Sequence, residues 1–276
     1  LPTISEEHPH TSIEAIEVDL LFPVLHGTYG EDGIFQGQCE QAGVRYVGSG
    51  VRASADGMDK SISKRIFAEH GLAVADGVVI HPQTRLSDIE LAKKLTLPVF
   101  VKPASGGSSR GTSKVKSWDD LETAVAEAFE FDEKVLVETG IIGKEVECAV
   151  LDRDGVVQAS PVGEIQFVDG HEFYDFEAKY LDNSTKLIIP AEIPAVAAAK
   201  IQQSAIAAFT ALGCAGLARV DFFLTKNGEI VINELNTMPG FTATSVFPKM
   251  WQASGVGYTE VISALLKSAL TRSNGV

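Results

Sequence analysis

Short apolar runs alternate with glycine-rich or polar breaks along this chain, and their lengths predict a mixed α/β protein. Residues 18–25 read as a buried strand that ends in the loop His26-Gly27-Thr28-Tyr29-Gly30-Glu31-Asp32-Gly33. A helix over 33–42, a strand over 45–47 and a turn at Gly48-Ser49-Gly50 follow, a β-α-β order that predicts a parallel sheet. Residues 58–70 have the spacing of an amphipathic helix stopped by Gly71. Further strands are predicted over 78–80, 97–102, 134–138 and 145–151, and a helix over 86–95. Ser117 caps a helix predicted to run to Phe131, with Asp120 three residues on as in a capping box. Residues 167–184 have no period, and a loop of that length points to a functional lid. Pro194 opens an alanine-rich helix that ends at Gly213, and residues 257–270 form the last helix.

The most informative stretch lies between those two helices. Residues 219–236 form two apolar-rich strands around Asn227-Gly228, the strongest short hairpin signal. With those two residues as the turn, Lys226 faces Glu229, Asp221 faces Glu234 and Arg219 faces Asn236. Side chains two apart share a sheet face, so Arg219, Asp221, Glu234 and Asn236 all lie on one side. Carboxylates directly opposite each other repel, and a cation relieves the repulsion. Asp221, Glu234 and Asn236 offer hard oxygen ligands, which suit Mg²⁺ and not zinc or copper. With Arg219 alongside, the site suits a nucleoside triphosphate and phosphoryl transfer.

Composition narrows the choice. The formal net charge of −14 argues against a nucleic-acid or anionic membrane partner, so the cations that do occur in loops carry more weight. The three cysteines show no C-x-x-C spacing, which argues against a disulfide framework and for a reducing compartment. No apolar run is long enough to span a bilayer. The first residues are acidic, do not begin with Met and lack a signal-peptide layout, so a missing native N-terminus is expected.

Candidate phosphate contacts sit upstream. An apolar strand delivers Lys102 into Gly106-Gly107-Ser108-Ser109-Arg110-Gly111. Glycines let backbone N–H groups approach phosphate oxygens, and the serines add hydroxyl donors. The lysine precedes the glycines, so this is neither a P-loop nor the dinucleotide fingerprint, and a dehydrogenase is a poor reading. Lys60 is a candidate second phosphate contact. Glu138 ends an apolar strand where a flat ring can seat, accepting from an exocyclic amine. Glu145 and Glu147 share a strand face, and one of the two is a candidate for ribose hydroxyls. Lys179 and Tyr180 lie within an aromatic block suited to a charged lid. Gly240 presents an N–H to a developing oxyanion, and Ser245 a hydroxyl to a carboxylate.

Taken in order, these motifs resemble the D-alanine–D-alanine ligase family of the ATP-grasp superfamily. The resemblance rests on Lys102 with its glycine loop, Val-Leu-Val-Glu138, Gly143-x-Glu145, Phe173-Tyr-Asp-x-x-x-Lys179-Tyr180, Gly216-Leu-Ala-Arg219-Val-Asp221 and Asn233-Glu234-x-Asn236-Thr-x-Pro-Gly240. The early blocks around His26 and Met58-Asp59-Lys60 fit as well. The resemblance implies an ATP-grasp fold with a partial N-terminal parallel α/β domain, divided at 1–57, 58–145 and 146–276. It implies a soluble cytoplasmic enzyme, a homodimer, that uses ATP and two Mg²⁺ ions, with Mn²⁺ as an alternative. It places ATP on Lys60, Lys102, Gly107, Ser108, Ser109, Glu138, Ile141, Glu145 and Lys179, and the metals on Asp221, Glu234 and Asn236. It places D-alanine near His26, Arg219, Gly240 and Ser245, and gives Arg219, Ser108, Tyr180, Lys179 and Gly240 catalytic roles. The implied reaction joins two D-alanines through an acyl phosphate, for peptidoglycan precursor synthesis. D-alanine–D-lactate ligation and an inactive nucleotide-binding remnant are the alternatives. The family's Gly-Gly-x-Ser-x-Glu segment is not found here, and Arg110 replaces a residue that is usually apolar.

Overall fold

The computed structural model describes residues 17–107, 109–167, 185–242 and 244–272. Three sheets organise them. The smallest pairs β1 (Leu20–Leu21) in parallel with β2 (Arg45–Tyr46), joined through α1 (Ile34–Ala42), as the β-α-β reading expects. The strand expected over 18–25 shrinks to two half-buried residues. Pro23 has no N–H to continue a ladder, and Val24 turns back to donate to the Phe22 carbonyl.

The helix expected over 58–70 is present as the later of two consecutive helices. The first, α2 (Val51–Met58), was not anticipated; the second is α3 (Lys60–Glu69). Asp59 separates them and caps α3, its carboxylate accepting from the N–H groups of Ser61 and Ile62.

The four-stranded sheet has the order β3 (Gly77–Ile80), β6 (Val135–Thr139), β4 (Val99–Pro103), β5 (Ser113–Val115), all antiparallel. Helices α4 (Arg85–Ala92) and α5 (Leu121–Ala128) cover one face, burying Ile89, Leu121 and Val125 against Val99, Val101 and Val137. Ser117 caps a short 3₁₀ turn, Trp118–Asp120, through the Asp119 N–H. The helix expected to reach Phe131 stops at Ala128.

The largest sheet runs β10 (Thr185–Ile188), β9 (Gly163–Phe167), β7 (Gly143–Arg153), β11 (Leu217–Thr225), β12 (Ile230–Asn236), with β8 (Val156–Ala159) also on β7. Its one face packs Val146, Cys148, Val150, Val220 and Phe222 under α6 (Ala195–Ala211), together with Phe67 of α3. Its other face packs Ala149, Leu151 and Leu217 under α7 (Val246–Ala253) and α8 (Tyr258–Thr271). Alternation then puts Glu145 and Glu147, and Arg219 and Asp221, on this second face, beyond the reach of the helices. One face is thus apolar where it is covered and charged where it is open.

The hairpin carries a correction. Thr225 N–H donates to Glu229 O at 2.9 Å and Gly228 N–H to Thr225 O at 3.0 Å, so the loop has three residues and Lys226 lies in it instead of facing Glu229. Gly228, at φ 81°, takes the left-handed position that such loops demand. This loop offsets the pairing by one residue, giving Phe222 opposite Ile232 and Leu224 opposite Ile230. A β-bulge between Asp221 and Phe222 cancels the offset, so Asp221 does face Glu234 and Arg219 does face Asn236. The core records the extra residue. Ile232 and Leu235, three apart, both point into the same apolar cluster.

Candidate active site

The four-stranded and the large sheet face each other across a cavity of about 430 Å³. Pro98, Phe100, Ile141 and Ile142 form an apolar part of its wall, suited to a flat ring. Lys60, Lys64, Lys102, Glu138, Glu145, Glu147, Asp221 and Glu234 line the rest. A second cavity of about 540 Å³ is lined by His26, Glu31, Gly107, Arg219, Asn236, Gly240 and Ser245. The two share Lys60, Gly106 and Glu234, and so meet where the glycine loop approaches the hairpin.

Lys60 spans that junction. Its Nζ donates to Gly106 O at 2.7 Å and lies 3.3 Å from Glu234 Oε2. One turn along α3, the buried Lys64 Nζ donates to Glu138 Oε2 at 2.6 Å. Lys102 takes the other oxygen of Glu138. Both oxygens of Glu138 are therefore held by lysines, one on each, and each oxygen keeps a second lone pair. Burial pushes Lys102 down to about 8; Glu138 opposes the change and Lys64 and Lys60 add to it. Burial alone would raise Glu138, but Lys102 and then Lys64 hold it below the usual carboxylate range.

On the large sheet, Arg219 donates Nε and Nη2 to the two oxygens of Asp221, both at 2.7 Å. Its Nε is also 3.3 Å from Glu147 Oε2. Burial would lower the guanidinium pKa, yet Asp221, followed by Glu147, raises it well above its ordinary value. Asn236 Nδ2 donates to Asp221 Oδ2 at 3.2 Å. Glu147 and Glu234 stand opposite Asp221 on either side, which makes a row of three carboxylates across β7, β11 and β12.

His26 Nδ1 is 2.9 Å from Met238 O. A carbonyl only accepts, so this nitrogen carries the proton. Glu31 Oε2 lies 4.0 Å from the same atom. Burial raises the Glu31 carboxyl to about 7, against a hydrogen bond from Gly27 and with repulsion from Glu234. Ser245 caps no backbone N–H of its own helix. Its Oγ accepts from Thr242 N–H at 3.0 Å, and a Cβ added to Gly240 would lie 3.1 Å from it. A side chain at position 240 would therefore press on the Ser245 hydroxyl.

Ser108, Lys179 and Tyr180, with the rest of the expected lid, lie outside the described residues. The remaining expected residues line one or the other cavity. Sequence reasoning passed over Lys64 and Glu31. Lys64 had a signal, since it sits four residues after Lys60 and so on the same helix face. Glu31 had none beyond its glycine-rich loop, because its burial comes from distant segments.

Two antiparallel sheets that clasp a cavity of nucleotide size, with lysines on one side and a carboxylate row on the other, define the ATP-grasp class. Residues 66–267 match the family model described as D-ala D-ala ligase C-terminus, and residues 3–49 match D-ala D-ala ligase N-terminus. The chain belongs to the D-alanine–D-alanine ligase family. It is 53% identical over 264 residues to the D-alanine–D-alanine ligase of Mycolicibacterium smegmatis, covering 94% of this chain and 70% of that protein. Among solved structures it is similar to the VanG D-Ala:D-Ser ligase of Enterococcus faecalis. The TM-score there is 0.85 at 40% identity, over 93% of this chain and 74% of that one. It is also similar to the D-alanine–D-alanine ligase of Bacillus anthracis complexed with ATP. That match has a TM-score of 0.78 at 33% identity, over 92% and 79% of the two chains.

Proposed function

We propose that this chain joins two D-alanines at the expense of ATP, forming D-alanyl-D-alanine, ADP and phosphate, for peptidoglycan precursor synthesis. The observation that carries the reading is the junction of the two cavities, where Lys60 reaches both the glycine loop and Glu234 beside the Arg219–Asp221 pair. A carboxylate resists attack by an amine, so the first D-alanine takes the γ-phosphoryl group on a carboxylate oxygen. The amine of the second then attacks that acyl carbon, loses its proton and displaces phosphate.

The residues divide the work by position. Lys60 and Lys102 hold the nucleotide phosphates; Gly107 and Ser109, with Ser108, surround them; and Ile141 packs on the base while Glu145 holds the ribose. His26 and Ser245 orient the amino acids. Arg219 and the Gly240 N–H face the tetrahedral oxygen, where fixed donors strengthen as charge develops. Lys179 and Tyr180 belong to the proposed lid, which keeps water from the acyl phosphate.

The donor set fits a divalent ion. Asp221, Glu234 and Asn236 bring two carboxylates and an amide together, all hard oxygen donors, as an ion that also takes phosphate oxygens requires. Among the described residues no group of three or more His, Cys, Asp and Glu side chains is placed to hold a metal ion by itself. Two Mg²⁺ ions, or Mn²⁺, held there would offset charge on the transferring phosphoryl group.

We further assign a homodimer in the cytoplasm, with units at 1–57, 58–145 and 146–276. Among the described residues no helix is long and apolar enough to cross a membrane. The test is phosphate release that depends on D-alanine, with the dipeptide identified by mass spectrometry; equal stimulation by L-alanine would refute the reading. Asp221→Ala or Glu234→Ala should lower turnover by about 10²–10³. The likeness to a D-Ala:D-Ser ligase adds a second reading, decided by competition among D-alanine, D-serine and D-lactate as second substrate.

A further inference from the structure

Lys64 is 6% exposed and Glu138 5%, and they meet at 2.6 Å on the wall of the first cavity. Buried ion pairs are poor devices for stability, since apolar residues of the same size pack there without losing hydration. A lysine kept in this place therefore calls for another explanation. The geometry supplies one. Lys64 and Lys102 divide the two oxygens of one carboxylate between them. Two cations against one anion leave a positive charge uncancelled at the cavity. Without Lys64, Glu138 would offer both oxygens to Lys102 and close a neutral pair.

We propose that Lys64 is a positioning residue for the nucleotide: by occupying one oxygen of Glu138 it leaves Lys102 able to turn its charge to the phosphates. The inference deepens the ATP reading of this cavity and rests on it. Lys64 acts through Glu138, so its effect must depend on the carboxylate. That dependence separates positioning from direct phosphate contact and from packing, neither of which needs Glu138.

The experiment is a cycle of K64M, E138Q and K64M/E138Q in the full chain, reading ATP dissociation constants by calorimetry, with melting curves to establish folding. K64M should weaken ATP binding about tenfold or more in the native background, and less than about threefold beside E138Q. K64R, which keeps the charge on Glu138, should stay within about threefold of wild type. A K64M effect of the same size in both backgrounds overturns the proposal, as does unchanged binding by K64M. If K64M does not fold, K64Q takes its place in the same cycle. Failure of the wild-type chain to bind ATP would instead overturn the nucleotide reading itself.

Discussion

Glu31 makes the stability of this protein depend on pH in a direction opposite to that of most carboxylates. Burial, with repulsion from Glu234, raises its carboxyl from 4.5 to about 7, although a Gly27 hydrogen bond, Lys60 and Arg219 favour the charged form. The folded state therefore holds a proton that the unfolded chain releases between those values, and stability falls as pH rises through that window. At about 1.4 kcal/mol per pH unit, the ionised group costs the fold about 3 kcal/mol above the window. The side chain is only 13% exposed, so solvent screening takes little from that figure. Glu31→Gln keeps the shape and removes the ionisation. Urea unfolding in the presence of a chelator should find the variant more stable than wild type by about 1 kcal/mol near pH 5 and about 3 kcal/mol near pH 8. A gap that stays constant with pH, or a variant less stable than wild type near pH 8, would refute the reasoning.

Other expectations follow from the same geometry. ATP affinity should decline as pH rises through about 8, where Lys102 loses its proton, and calorimetry on either side of that value should find a Lys102→Met variant without the decline. Deleting Asn233 removes the extra residue of the bulge and leaves a plain two-residue alternation in which Ile232 and Leu235 keep the covered face and Glu234 still faces Asp221; far-UV circular dichroism should be retained, and its loss would refute the assigned bulge. Phe67→Ala should cost about 3–5 kcal/mol in urea unfolding, because its ring is fully buried between α3 and the large sheet.

Much of the site was legible one strand at a time. Period-two alternation put Arg219 with Asp221 and Glu234 with Asn236 on single faces without any knowledge of the fold. Facing Asp221 with Glu234 also came out as expected, though by a different route: a three-residue loop and a bulge each shift the count by one, and the shifts cancel. Asp154-Gly155 carried the same hairpin signal as Asn227-Gly228, and both residues have the positive φ of a tight turn between β7 and β8. That signal was readable and was passed over. The strand over 185–188 was not readable, since four residues beside an aperiodic stretch carry too little pattern.

Local periodicity determined which side chains share a strand or helix face, because backbone geometry sets that within a few residues. Only tertiary structure decided how those faces are used. Lys64 and Lys102 meet on Glu138 from a helix and two strands, and Glu31 is buried by segments distant in the chain. Burial and charge pairing are sums over neighbours from many places along the chain, and no short window of sequence contains them.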